Sequence, residues 1–180
     1  MSRIVIGVQP VREAIRVHGN AIERVLLASA SHKDSRPLDG IFRFCQSRDI
    51  GVERVDRQTL DRITHGASHQ GVLAYAPELQ LLDLAELMAP SPTLITALDR
   101  ITDPQNFGAI IRSAVAFDSH GILWPEHDSA PLTPATFRAS AGAIEHARLC
   151  RVSSLPAALH ALHNERSEER RVGKECTIQC

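Results

Sequence analysis

Apolar positions along this chain fall into two kinds of stretch, short runs of strand length and longer stretches of helical period. In the first seventy-odd residues the two kinds alternate. "PVREAI" (10–15) predicts a helix, with Pro10 suited to its first position. "IERVLLAS" (22–29) has the pattern of a buried strand. "LDGIFRFCQSRD" (38–49) has helical spacing in Ile41, Phe44 and Cys45, and Gly51 follows as a stop. "VERV" (52–55) predicts a short strand, "RQTLDRI" (57–63) a short helix and "QGVLAYA" (70–76) a strand. This is an α/β alternation of the size of a small domain, assigned to residues 1–76.

Residues 77–92, "PELQLLDLAELMAPSP", carry prolines at 77, 90 and 92 and mark a boundary. Leu81, Leu84, Leu87 and Met88 make a helical stripe between them, so this linker is expected to pack. Beyond it the alternation is cleaner. "TLITALD" (93–99) predicts a strand, "GAIIRSAVAF" (108–117) a helix and "GILW" (121–124) a strand. "TPATFRASA" (133–141) predicts a helix capped by Thr133, "ARLCRV" (147–152) a strand, and "SLPAALHALH" (154–163) a helix capped by Ser153 or Ser154. Strands and helices at this spacing imply right-handed crossovers and a parallel sheet, here residues 93–163. Ligands of such sheets bind beyond the carboxyl ends of the strands.

Composition narrows this only a little. The chain has 180 residues, 43% of them hydrophobic, and a net charge of −1. It is rich enough in apolar residues for a packed core, and its balance neither argues for nor excludes nucleic acid. No apolar run approaches a membrane span, and "MSRIVIGVQP" lacks a signal-peptide core, so a cytoplasmic, non-membrane protein is expected. Cysteines at 45, 150, 176 and 180 form no CxxC pair and read as reduced thiols, with Cys45 and Cys150 in the core. His65 and His69, and His160 and His163, are close in sequence, but no Cys or Glu completes a metal set at a known spacing, so ordinary histidines and no metal are expected. The phosphate-binding patterns GxGxxG and GxxxxGK[ST] and the GxSxG nucleophile elbow are absent from the sequence.

The chemistry concentrates in "DPQNFGAIIRSA", residues 103–114. Asp103-Pro104 turns the chain after a strand, Asn106 suits a helix cap, and Phe107 then begins the helix. Gly108 removes a side chain where backbone N–H groups would point at a ligand, and a helix N-terminus favours an anion. Arg112 follows six residues after that cap, beside small residues Ala109, Ser113 and Ala116, with Ile110, Ala114 and Phe117 on the core side. One reading is an arginine aimed at an anion. The other is an arginine partly in the core that reaches past small neighbours to a surface carboxylate. Spacing alone does not separate them.

"LDRITDPQNFGAIIRSAVAFDSHGILWP", followed by "FRASAGAIEHARL", resembles the first signature of the SpoU-type RNA ribose 2′-O-methyltransferases, whose C-terminal segment ties a trefoil knot. The stretch from "IVIGVQPVREAI" to "HQGVLAYAPE" resembles the small RNA-binding domain that precedes the catalytic domain in the ribosomal RNA guanosine members. The resemblance spans roughly residues 4–163. It implies an α/β chain with a small N-terminal RNA-binding domain and a parallel-sheet domain like an incomplete trefoil-knot methyltransferase domain. The implied reaction moves a methyl group from S-adenosylmethionine to a ribose 2′-hydroxyl. Asn106 and Arg112 fall on the family's catalytic positions, and Gly108, Ser113 and Arg138 are the implied RNA-side residues. An arginine is a poor base, since its pKa exceeds about 12. Arg112 is therefore expected to clamp an RNA phosphate and steady alkoxide charge, with Asn106 orienting Arg112 or the ribose.

The implied partners are RNA, large-subunit ribosomal RNA in particular, and a second copy in a homodimer that uses the helix near residues 107–117. Arg3, Arg12 and Arg36 are expected RNA contacts in the first domain, although each alone also reads as ordinary solvated charge. The family's second and third signatures, a Gly-rich loop with a Glu and a Pro loop before a Ser-Leu-Asn helix, do not follow. Residues 164–180, ending "RSEERRVGKECTIQC", have no period and read as a non-native tail. The expectation is a truncated chain with no donor-binding residues of its own, inactive by itself. The alternative is a non-catalytic RNA-binding module.

Overall fold

A computed structural model of the chain describes residues 2–29, 35–89 and 94–164. Residues 90–93, the end of the linker and the first residue after it, and the proposed tail beyond Asn164, with Cys176 and Cys180, lie outside the described residues. The order of elements is β1 (Ser2–Ile6), α1 (Val8–His18), β2 (Arg24–Ala28), α2 (Ser35–Gln46), β3 (Val52–Val55), α3 (Arg57–Ile63), β4 (Val72–Pro77), β5 (Leu81–Leu82), α4 (Leu84–Met88), β6 (Ile95–Ala97), α5 (Pro104–Ala116), β7 (Gly121–Pro125), α6 (Pro134–Ala139), β8 (Leu149–Val152) and α7 (Leu155–Asn164). A 3₁₀ turn, Ala143–His146, precedes β8.

Two four-stranded sheets result. The first has the order β1-β4-β2-β3, with β4 antiparallel to both its neighbours and β2 parallel to β3. Period-two alternation sends Val25 and Leu27 to one face, where α1 and α2 add Val11, Ile15, Ile41 and Cys45. Leu26 and Leu73 turn to the other face, against Leu60 of α3. β1 is an element that the hydrophobic pattern did not reveal. Helix α1 begins at Val8, so Pro10 is its third residue, where the N–H it lacks would have had no helical partner in any case.

The second sheet has the order β5-β8-β7-β6 and is wholly parallel, as the alternation predicts. One face packs Ile122, Trp124 and Leu149 against Phe107, Ile111 and Phe137 of α5 and α6. The other packs Leu123 and Cys150 against Leu87, Leu155 and Leu162 of α4 and α7. The apolar stripe from Leu81 to Met88 is split. Leu81 and Leu82 pair with β8 as a strand, and only Leu84–Met88 is helical, opened by a capping box of Asp83 and Glu86. α7 has the expected serine cap, since Ala157 N–H donates to Ser154 Oγ at 3.4 Å.

Cys45 and Cys150 are free, buried thiols. Burial pushes the Cys45 thiol up to about 11. Cys150 is also raised, by burial first and then by Asp83 and Glu86. His69 is a satisfied core histidine. Its Nε2 lies 2.9 Å from Asp61 and its Nδ1 accepts from Gly71 N–H at 3.0 Å. No helix among the described residues is long and apolar enough to cross a membrane.

The halves meet along α1 and β1. Arg3 is 8% exposed and is not the solvated RNA contact that its sequence position suggested. Its Nε donates to Pro77 O at 2.8 Å and its Nη1 to Glu145 at 3.0 Å, and its guanidinium lies 4.9 Å from the Phe137 ring centroid. His18 Nε2 reaches the same carboxylate at 2.9 Å. Glu13 of α1 meets His146 at 2.9 Å. Gly142 allows this approach. Its φ is +87°, and a Cβ there would lie 2.8 Å from that of Glu13.

Candidate functional site

The helix that carries Asn106 and Arg112 starts where it was expected, beyond the carboxyl end of β6, and runs back along the sheet, so that Ser119, just past its end, bonds Leu94 O and Thr96 Oγ at the start of β6. Leu98 N–H still pairs with Leu123 O at 2.8 Å, and Ala130 N–H ties the β7–α6 loop to Ile101 O at 2.7 Å. α5 then begins at Pro104, earlier than the cap reading placed it. Asp103 is the cap. Its carboxylate accepts from Asn106 N–H at 2.9 Å, and Pro104 holds the first helical position. Asn106 is thus the third helical residue, with an exposed side chain. The chain's own carboxylate occupies the helix end that was read as an anion site, so an anion must be met elsewhere.

Gly108 has a different use from the one anticipated. It is buried, and a Cβ there would lie 2.5 Å from Thr136 O and 2.6 Å from Ala139 Cβ. The missing side chain lets α6 cross α5 at close range, and α6 fills the space that the sequence reading reserved for a ligand. Phe107 beside it stacks edge-on to Trp124, with centroids 5.5 Å apart. The buried face of α5 is Phe107, Gly108, Ile111 and Ala114. Half-buried Ile110 packs against this core as expected, whereas Phe117 is 79% exposed and does not form the core side expected of it.

Arg112 stands in solvent and not partly in the core. It makes no hydrogen bond or ion pair with any described residue, so the surface-carboxylate reading finds no partner. Ala109, Ser113 and Ala116 share its exposed side, as their spacing predicts. Ser113 Oγ donates back to Ala109 O at 3.2 Å. Six helical residues put Asn106 and Arg112 about 9 Å apart along the axis and about 120° apart around it, and no hydrogen bond joins them. Arg138 is exposed in the last turn of α6, the helix that Gly108 admits. The arrangement leaves a free guanidinium on a smooth small-residue face, a fork suited to a phosphate or to developing oxyanion charge.

The side chains beyond the sheet's carboxyl end stand open. Asp99, Arg100, Thr102, Glu126, His127, Asp128, Ser153 and Ser154 are all exposed. A site for an adenosine-bearing cofactor needs enclosing apolar walls and a few convergent polar groups. The described residues do not fit one there. Arg43 of the first half escaped the sequence reading. It joins Arg12 and Arg36 around a groove between α1 and α2, and its spacing of seven from Arg36 was the available signal.

Comparison with known proteins finds matches in both halves of the chain. Residues 93–171 match the SpoU rRNA Methylase family, and residues 4–82 match the RNA 2′-O ribose methyltransferase substrate binding family. An uncharacterized tRNA/rRNA methyltransferase of Mycobacterium leprae is 37% identical over 161 residues, 86% of this chain and 51% of that protein. One of Mycolicibacterium vanbaalenii is 34% identical over 163 residues, 88% and 51% of the two. The chain therefore spans about half the length of the curated relatives it matches. Among solved structures, the SpoU methyltransferase AviRb from Streptomyces viridochromogenes, in complex with the cofactor AdoMet, superposes with a TM-score of 0.68 at 24% identity, covering 92% of this chain and 59% of that one. An RNA 2′-O ribose methyltransferase superposes with a TM-score of 0.69 at 19% identity, covering 92% and 60%.

Proposed function

We propose that this chain, which belongs to the SpoU rRNA methylase family, serves methyl transfer from S-adenosylmethionine to a ribose 2′-hydroxyl of RNA, a ribosomal RNA guanosine. Residues 1–76 are the RNA-binding domain, 77–92 the linker and 93–163 the methyltransferase domain. The observation that carries this is Arg112, an exposed guanidinium without a partner among the described residues, on a face of small side chains along α5, the helix that starts at the carboxyl end of a parallel sheet. Arg112 clamps the phosphate next to the target ribose and steadies charge on the 2′-oxygen as its proton leaves. Asn106 contacts the ribose, and Ser113 and Arg138 meet the RNA backbone. Gly108 serves the site through the α5–α6 contact.

The donor, when bound, supplies an electrophilic sulfonium methyl. Because the described residues do not enclose a donor site, the roles given above stop at the acceptor. The complete enzyme is a cytoplasmic homodimer in this reading, and Phe117, 79% exposed at the end of α5, supports pairing there. A second reading, a non-catalytic RNA-binding module, is favoured by the open carboxyl end of the sheet.

Labelled S-adenosylmethionine and a ribosomal RNA transcript, given to a protein extended to the length of its relatives, separate the two readings. Label recovered as 2′-O-methylguanosine, and lost in Arg112→Lys, supports the first. RNA retained without transfer of label supports the second. A chain that holds no RNA even at low salt overturns both.

A further inference from the structure

The groove between α1 and α2 has a volume of about 570 Å³ and an unusual lining. Its floor is apolar, made by half-buried Val8 and Phe44 and buried Ile41. Its rim carries the exposed guanidinium groups of Arg12, Arg36 and Arg43, and no carboxylate lines it. None of the three arginines is bonded to another described residue. Helical period explains the geometry. Arg36, Gly40 and Arg43 recur at i, i+4 and i+7 along one stripe of α2, with Ile41 and Phe44 on the next. On α1, Val8 and Arg12 are one turn apart and face the groove, while Glu13 turns to the other half of the molecule.

Gly40 adds an independent observation. Glycine in the middle of a helix is unfavourable, and it is normally explained by something packed against it. Gly108 has such a neighbour in α6. A Cβ at Gly40 would meet nothing within 4 Å. Its missing side chain keeps the groove open and serves no contact among the described residues.

We infer that this groove seats one unstacked nucleotide of the substrate RNA. Its base lies on Val8, Ile41 and Phe44, and its flanking phosphates meet Arg12, Arg36 and Arg43. The inference rests on the RNA reading above and names where in the first half that RNA is held. A flat apolar floor accepts any base through its faces, and a cluster of guanidinium groups holds phosphates regardless of sequence. The subsite is therefore one of strand capture, without base identity.

The test is binding of a fluorescent ribosomal RNA hairpin with a single-stranded loop to the full chain, across salt concentrations. Arg12→Ala/Arg43→Ala is expected to weaken binding about tenfold and to flatten the salt dependence, by about one unit of slope per lost contact. Gly40→Phe, which fills the groove without removing charge, is expected to weaken binding while leaving the salt slope unchanged. Arg151→Glu, a charge change at an exposed residue of β8, leaves binding within about twofold. Wild-type binding that survives both groove variants within twofold overturns the inference and leaves the RNA reading intact. A wild-type chain that binds no RNA ends both. Circular dichroism of each variant checks that the total helix content is unchanged.

Discussion

Arg3 and Glu145, 142 residues apart in the chain, form a buried ion pair in which Nη1 donates to Oε1 at 3.0 Å. The side chains are 6% and 0% exposed, so neither charge has water to fall back on. His18 on the same carboxylate and Phe137 against the guanidinium complete the enclosure.

Breaking this pair from one side should therefore cost more than removing it whole. Glu145→Ala leaves a guanidinium buried without its counter-ion, and the expected loss is about 3–5 kcal/mol in urea denaturation. Arg3→Met/Glu145→Leu should lose less than Glu145→Ala alone, because no orphaned charge remains. A Glu145→Ala variant within about 1 kcal/mol of wild type would show that the pair is not closed in solution.

Two helical glycines should respond in opposite directions to the same substitution. Gly40→Ala adds a methyl group to open space and should raise stability by about 0.5–1 kcal/mol. Gly108→Ala drives a methyl group into Thr136 O and Ala139 and should lower it by about 1–3 kcal/mol. Thermal melts of the two variants side by side decide the matter, and shifts of the same sign would count against the α5–α6 packing described.

The start of α5 is open to a similar comparison. Asp103→Ala removes the carboxylate that Asn106 N–H donates to and should cost about 1 kcal/mol. Asn106→Ala and Arg112→Lys, both at exposed side chains, should change stability by less than about 0.5 kcal/mol. Any larger loss of methyl transfer in those two variants then belongs to the site and not to the fold. If Asn106→Ala proved the costlier change, the cap would have to be reassigned.

Cys45 predicts a response to alkali. Burial holds its thiol at about 11 in the folded chain, above the ordinary value of 9.0. The folded state thus keeps a proton that the unfolded chain gives up. Stability from this group is full below pH 9 and falls as pH rises from 9 towards 11. Cys45→Ala should flatten that part of the stability profile, and the native thiol should resist alkylation at pH 8. Rapid labelling of Cys45 in folded protein at pH 8 would contradict its burial.

What could be read from the sequence was what local pattern controls. The parallel half was legible because each strand and helix announces itself by its own period, and Arg112 was legible as a residue on a small-residue face, with its partner left open. Elements defined by their partners were not. β5 has two residues and is a strand only because β8 lies alongside. The cap of α5 was misplaced because Asp103 and Asn106 are both good caps, and Pro104 between them had to decide. Gly108 was read as facing a ligand because nothing nearby in sequence shows that α6 fills the space. Arg3 was read as surface charge because the carboxylate that buries it arrives 142 residues later. The three arginines of the groove belong to two helices, and only the α2 pair shares a stripe that can be counted.

Helix α1 is gripped on one flank by the turn at 143–146 and borders the groove on the other. The bonds from Glu13 and His18 to that turn tie the groove to the half that carries Arg112. If the groove holds RNA as inferred above, an RNA would reach both places only when its own folding sets a loop nucleotide and the target ribose at the matching span. Selection would then act on the length between two points of a folded RNA, and a strand with the right bases but the wrong span would reach only one of them.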